Sequence, residues 1–256
     1  MTNDTHGRGS GQLAEDKHWW FYSRTQALLN MLDGAVSRSD GSRRVLDVGC
    51  GAGNMFHHLA RYGSVVGVEN NPKPLQVAVE RGHDVRLAPA ESMPFPDGSF
   101  DLIAALDVIE HCADDVAVLR EIHRVAAPDA LLVITTPAFA WLWSHNDEVN
   151  HHFRRYSGPQ LRTRLEIAGF RVRRLAYNNF FIFPVVTTLI FSRRQSGAVP
   201  ELAAPDKDEE AYQVEMEPAS PLVNTALTAV GWLEAALLRR INLPVGTAII
   251  CIAERM

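Results

Sequence analysis

The sequence has little cysteine, little net charge and no long uninterrupted apolar run. Its three cysteines, Cys50, Cys112 and Cys251, are far apart, show no CxxC spacing and leave one over if two pair, so no disulfide framework is expected. A reducing, cytoplasmic compartment follows. The formal net charge of −5 argues against a protein whose main task is neutralising nucleic-acid phosphates, although a local basic face stays open. The first residues, "MTNDTHGRGSG", are polar and glycine-rich and lack the apolar stretch of a signal peptide. Two apolar stretches near the C-terminus fall short of clean spanning segments. Pro184 interrupts the one at 180–191, and Glu234 and two threonines polarise the one at 222–238.

What is present is enough for one full core: 46% of the 256 residues are hydrophobic and 21% charged, a balance that fits one α/β domain with additions. Residues 1–14 read as a disordered lead-in. A helix is expected in "EDKHWWFYSRTQALLNML", then strand "RRVLDV", helix "MFHHLARYG", strand "SVVGVEN", and a helix with Pro72 and Pro74 near its start and Gly82 at its end. Strands "DVRLAPA" and "SFDLIAALDV", helix "DDVAVLREIHRVA" and strand "ALLVITTP" continue the alternation. Such alternation predicts a doubly wound, Rossmann-like parallel sheet covered on both faces. Beyond Pro137 a long aromatic and histidine-bearing connection, 138–158, precedes a helix and a strand at 171–181, so the core runs over 15–195. Residues 196–221, with four prolines and a cluster of acids, read as a mobile linker. The apolar helix and strand of 222–256 would then complete the sheet.

The segment "VLDVGCGAGN" runs a strand into Gly49, Gly51 and Gly53, a GxGxG loop whose missing side chains let backbone N–H groups approach a ligand. The dinucleotide fingerprint wants a third glycine where this chain has Asn54, which disfavours NAD. Asp47, two residues before Gly49, would repel a pyrophosphate but can accept hydrogen bonds from an ammonium group. Glu69 ends the second strand, where an acid can accept both hydroxyls of a ribose. The ligand reads as a nucleoside carrying a cation.

Together these segments resemble the class I S-adenosylmethionine (SAM) methyltransferases, in particular the UbiE-like type 11 group, over about residues 15–190. The resemblance rests on "VLDVGCGAGN", "VVGVEN", "AESMPFPDGSFDLIAALDVIEH" and "LREIHRVAAPDALLVITTP". It implies a seven-stranded, mostly parallel sheet with an antiparallel last strand, preceded by a helical insertion. SAM is implied as cofactor, with Asp47, Gly49 and Gly51 at its methionine end, Glu69 on the ribose, and Asn70, Ala90 and Glu91 around the adenine. Leu106, Asp107 and Val108 would pass beneath the methionine moiety, and Arg24 would take its carboxylate. Two departures stand out: Pro89 replaces the aspartate usual before the Ala-Glu pair, and "PDA" at 128–130 replaces Pro-Gly-Gly.

The function expected is methyl transfer from SAM to a small-molecule acceptor at oxygen, nitrogen or carbon. A SAM-binding module without turnover, or an NAD-dependent oxidoreductase, would be the alternatives. The connection at 138–158 follows the fifth strand, so it can reach the transferred group. His145, His152 and Tyr156 are its candidate bases, Arg154 and Arg155 candidate anchors for a phosphate or carboxylate of the acceptor, and Trp19 and Trp20 a cover that excludes water. Asp107, Glu110 and His111 could form a metal site, but a strand end leading into a loop packed on the cofactor is the simpler explanation, and no metal is expected. Residues 151–176 hold seven arginines and one acid, and 201–217 seven acids and one lysine, so the acidic linker could fold across the basic segment. The apolar stretches are either buried or an interfacial pair that touches the membrane peripherally.

Overall fold

The computed structural model describes residues 17–36, 41–196 and 220–256. The lead-in at 1–14, nearly all of the linker at 196–221, and with it the expected contact between acidic and basic segments, lie outside the described residues. Seven strands form one sheet in the order β3-β2-β1-β4-β5-β7-β6. These are β1 (Arg43–Val48), β2 (Gly63–Glu69), β3 (Val85–Leu87), β4 (Phe100–Leu106), β5 (Ala126–Pro137), β6 (Phe170–Asn178) and β7 (Ala248–Arg255). β7 pairs antiparallel with both β5 and β6, and the other pairs are parallel.

Alternate residues of each central strand feed two separate cores. Val45, Leu102, Val133 and Ile250 face one side, and Leu46, Ile103, Leu132 and Ile249 the other, all at most 1% exposed. This is the all-apolar strand pattern of a sheet covered on both faces. On the first side lie α1 (Trp19–Ala35) and α8 (Pro221–Leu238). On the second lie α4 (Asp115–Val125), which buries Val118, Leu119, Ile122 and Val125, and α6 (Gly158–Ile167), which buries Leu161 and Leu165. Helix starts carry their signals: Asp114 caps α4 through a 2.9 Å bond from the Ala117 N–H, and Ser157 and Gln160 make a capping box at α6. Asn71 caps α3 (Pro72–Glu80) in the same way.

Several elements differ from expectation. The helix expected at 55–63 shrinks to α2, Phe56–Leu59, because the chain turns at once into β2 and Tyr62 is held by a 2.6 Å hydrogen bond to Asp33. β5 starts at Ala126, pairs there with Phe100, and then bulges before its regular register resumes at Leu131. Asp129 takes the left-handed turn there with φ of 60°, a conformation aspartate tolerates better than most side chains, so the "PDA" departure does not disturb the strand. The connection at 138–158 is ordered, with a 3₁₀ turn at Ala140–Leu142 and a short α5 (His145–Val149). The apolar run at 182–191 forms most of α7 (Phe183–Ser196), with Pro184 in the first turn, where no backbone donor is needed.

α1 and α8 run in the same direction, since the Trp19 N–H donates to Asn224 Oδ1 and Asn30 Nδ2 donates to the Ala235 carbonyl, both at 2.9 Å. Gly231 marks their closest approach: a Cβ there would sit 1.8 Å from Ser23 Oγ and 3.3 Å from Ser23 Cα. A glycine in mid-helix ordinarily costs about 1 kcal/mol relative to alanine, so the close packing explains its presence. Gly231→Val is expected to destabilise the fold by about 1–3 kcal/mol through overpacking, read as a lower midpoint in urea unfolding. An unchanged midpoint would mean that the two helices are not held at this distance.

Candidate functional site

The strand order reverses between β1 and β4, so the carboxyl ends of β1, β2, β4 and β5 open onto one crevice. Gly49, Gly51 and Gly53 follow β1 with φ of 66°, 53° and 77°, values that glycine adopts without penalty. Glu69 ends β2 and fixes this loop: one carboxylate oxygen accepts the Gly51 N–H at 2.9 Å and the other the Asn71 N–H at 2.8 Å. Asp47, on the last turn of β1, is 3% exposed, and burial together with the charge of Glu69 pushes its carboxyl up to about 7. Asn70 and Glu91 are exposed at the rim, and Ala90 is half-buried against the core.

The end of β4 brings a second group together. Leu106 and Asp107 are half-buried, and Asp107 sits at φ of 55°, its N–H bonded to the Thr135 carbonyl at 3.0 Å and its carboxylate accepting from the Thr135 hydroxyl at 3.1 Å. Arg24 reaches down from α1 and pairs with the other oxygen of Asp107. Both were expected along the methionine end of a cofactor, and the structure joins them directly. Trp20 lies under the Arg24 guanidinium at 5.9 Å, while the Trp19 ring packs edge-on against Trp20. Glu110, one turn on, is fully buried; its Oε2 accepts from the Thr136 hydroxyl at 3.2 Å, its Oε1 has no partner, and burial pushes the carboxyl up to about 7.

The connection after β5 is built around Asp147, a residue that the sequence reading gave no role. Asp147 is fully buried and accepts four hydrogen bonds, from His152 Nδ1 at 2.9 Å, Arg155 Nε at 2.7 Å, the Ser144 N–H at 2.7 Å and the Ser144 hydroxyl at 3.2 Å. Burial alone would raise its carboxyl, but the bonds from His152 and Arg155 outweigh it and hold the group down at about 2. A carboxylate can only accept, so the His152 proton resides on Nδ1 and Nε2 keeps its lone pair. The His152 ring meets His111 edge-on with 4.6 Å between centroids, and desolvation followed by the nearby His152 lowers the His111 pKa. Glu110, His111 and His152 each offer one ligand atom within 4.8 Å of the others, a set whose chemistry would accept a divalent cation.

The remaining expected residues are placed differently. Tyr156 is 2% exposed, its hydroxyl donates to Asp115 at 2.8 Å, and burial pushes its pKa up, so it braces the core rather than facing the crevice. Arg154 spends its donors on the carbonyls of Cys112 at 2.6 Å and Ala113 at 2.7 Å, and Arg155 on Asp147 and the Ala138 carbonyl. These bonds turn both guanidinium groups toward backbone carbonyls and Asp147. His145 is exposed and meets Glu148 at 3.4 Å, an i,i+3 pair on α5.

Comparison with known proteins fits this geometry. Residues 46–134 match a family model described as a methyltransferase domain, type 11. The match runs from within β1 to within β5. Norajmaline N-methyltransferase from Rauvolfia serpentina is 30% identical over 164 residues, covering 53% of this chain and 56% of that protein. A ubiquinone biosynthesis O-methyltransferase from Azorhizobium caulinodans is 34% identical over 102 residues, covering 36% and 40%. The chain thus spans about half or less of the length of these curated relatives. Among solved structures the [4+2]-cyclase SpnF superposes with a TM-score of 0.57 at 20% identity, covering 92% of this chain and 81% of that one. A SAM-dependent methyltransferase from Archaeoglobus fulgidus gives 0.55 at 19%, covering 90% and 94%. These two likenesses establish the fold.

The raised Asp47 carboxyl has a defined consequence for stability. A folded-state pKa above the ordinary 3.8 means that the native state holds the proton more tightly, so its contribution to stability is complete below about 3.8 and is lost as pH rises through about 7. Glu110 acts with the same sign. Thermal unfolding without ligand is expected to show a melting temperature that falls between about pH 4 and 8, and Asp47→Asn should flatten that fall. An equal slope in the variant would show that Asp47 is not the buried acid responsible.

Proposed function

We propose that this protein transfers a methyl group from SAM to a hydroxyl of a small-molecule acceptor. Binding of SAM is supported by the crevice itself. Two buried carboxyls and a cradle of left-handed glycines meet where an adenosyl compound with a cationic amino-acid tail would lie. On this reading Gly49 and Gly51 would receive the methionine end, Asp47 its ammonium group and Glu69 the ribose. Asn70, Ala90 and Glu91 would border the adenine, and Leu106 and Asp107 would floor the methionine. Arg24 would exchange Asp107 for the methionine carboxylate. SAM when bound supplies the electrophilic methyl carbon, and the transfer is an in-line displacement. The protein's task is to align the acceptor and keep water away, which suits Trp19 and Trp20 on the covering helix.

The observation that carries the hydroxyl assignment is the Asp147–His152 pair. Asp147 fixes the imidazole tautomer and stabilises the imidazolium that forms when Nε2 takes the acceptor's proton. The Arg155 guanidinium, bonded to the same oxygen, holds Asp147 ionised throughout. A neutral amine already carries its attacking lone pair, so it calls for a fixed base less than a hydroxyl does. We place the activity in the reducing cytoplasm, in keeping with three unpaired cysteines, and at the inner face of the membrane.

His152→Ala is expected to lower kcat by about 10²- to 10⁴-fold while leaving SAM affinity near that of the native protein. Asp147→Asn should lower kcat and move the alkaline-side plateau of the pH–rate profile, because the imidazole loses its fixed tautomer. S-adenosylhomocysteine release with a panel of phenols, sugars, amines and activated carbons reads both. Full activity of His152→Ala on every hydroxyl acceptor would remove the assignment.

A further inference from the structure

The α8 sequence, "PLVNTALTAVGWLEAALL", is apolar apart from Asn224, Thr225, Thr228 and Glu234, and a helix so rich in apolar residues ordinarily has most of its sides covered. Here α1 covers one side only. Among the described residues α8 is the one helix long and apolar enough to cross a membrane, and most of it is uncovered within the chain. Leu222 is 85% exposed, Trp232 61% and Leu233 48%. α7 repeats the pattern, with Val185 60% exposed and Leu189 48%. The two helices share a junction: Glu234 of α8, 4% exposed, accepts from the backbone N–H groups of Asn179 and Phe181, where the chain leaves β6 for α7.

We propose that the outer faces of α7 and α8 seat the protein on a phospholipid bilayer, lying in the interface rather than crossing it. Crossing is opposed by the ties that hold α8 to the domain: the close contact of Gly231 with Ser23, the Asn30–Ala235 bond and the Glu234 bonds to 179 and 181. Charge identifies the occupant. On these helices and the turn that follows α8, the described exposed charges, Arg194, Arg239 and Arg240, are all cationic, and the single acid, Glu234, is buried. A second copy placed face to face would bring arginines together, whereas anionic headgroups complement them. Trp232 adds an indole, which favours the boundary between acyl chain and headgroup.

This inference gives the membrane placement proposed above its surface, and it is tested without cofactor or acceptor, so its failure is separate from a failure of methyl transfer. The full chain is floated with vesicles of phosphatidylcholine alone and with vesicles containing phosphatidylglycerol, with Trp fluorescence followed in parallel. Binding to both is expected, tighter with the anionic lipid, together with a blue shift. Trp232→Glu with Leu233→Glu, or Val185→Glu with Leu189→Glu, should lower the bound fraction by about tenfold or more at unchanged thermal stability. Arg239→Glu with Arg240→Glu should remove the preference for anionic lipid, about fivefold per arginine, and leave the apolar component. No flotation with either vesicle, or flotation indifferent to all three variants, overturns the proposal. So does a dimer, seen by sedimentation velocity, that the α8 variant dissociates, since that would identify the occupant as a second copy.

Discussion

The site depends on negative charge buried beyond what the protein itself neutralises. Asp47 and Glu69 lie at the ends of adjacent parallel strands, and Asp107 and Glu110 follow the next strand across the switch point. Arg24 answers Asp107, and two backbone amides answer Glu69. Among the described residues no cation pairs with Asp47, and one Glu110 oxygen has no hydrogen-bond partner. In a low-dielectric crevice such groups either take up protons, as the raised carboxyls do, or receive a positively charged ligand. The chemistry of a sulfonium with an ammonium tail answers that need more directly than the chemistry of a pyrophosphate, which would add negative charge to it.

Asp147 is the opposite case. Its burial is complete, yet it stays ionised because a guanidinium, an imidazole and a backbone amide surround it. The two treatments of buried carboxyls, one left short of partners and one saturated, distinguish two parts of the crevice, and the proposed cation and the proposed base fall one in each. His152 lies at the border between them, close to both His111 and Glu110.

Much of the first part is legible in the sequence because it is local. Asp47, Gly49, Gly51 and Glu69 derive their positions from two strands and the turns that follow, and period and spacing place both. The second part depends on contacts that spacing does not reveal. Tyr156 reads as a base from its loop, but its partner Asp115 lies 41 positions earlier on a different helix. Arg154 is drawn to carbonyls 41 and 42 positions away. Asp147 did leave a trace, since Ser144-x-x-Asp147 is a capping-box pattern and His152 follows five residues later. That trace explains a helix start and gives no hint that the same carboxylate orients a histidine. The covering of α8 was likewise unreadable, because an apolar helix looks the same in sequence whether its sides meet protein or not.

The fold and the chemistry separate at the same boundary. A cyclase and methyltransferases share the arrangement of this sheet at identities of 20% or less, so the arrangement alone does not choose a reaction. What distinguishes one such protein from another has to lie in the segments the sheet tolerates freely: the cover α1, the connection after β5, and the insertion that carries α7 and α8. In this chain those three segments are not independent. Ser23 of α1, itself buried, meets Gly231 of α8 while the next residue, Arg24, reaches Asp107, so the contact with α8 and the ion pair at the crevice are carried by consecutive residues of one helix. The connection after β5 joins the same assembly through Trp141, whose ring packs against Phe183 and Phe191 of α7. The added helices therefore pack on the same two segments, α1 and the connection after β5, that border the crevice.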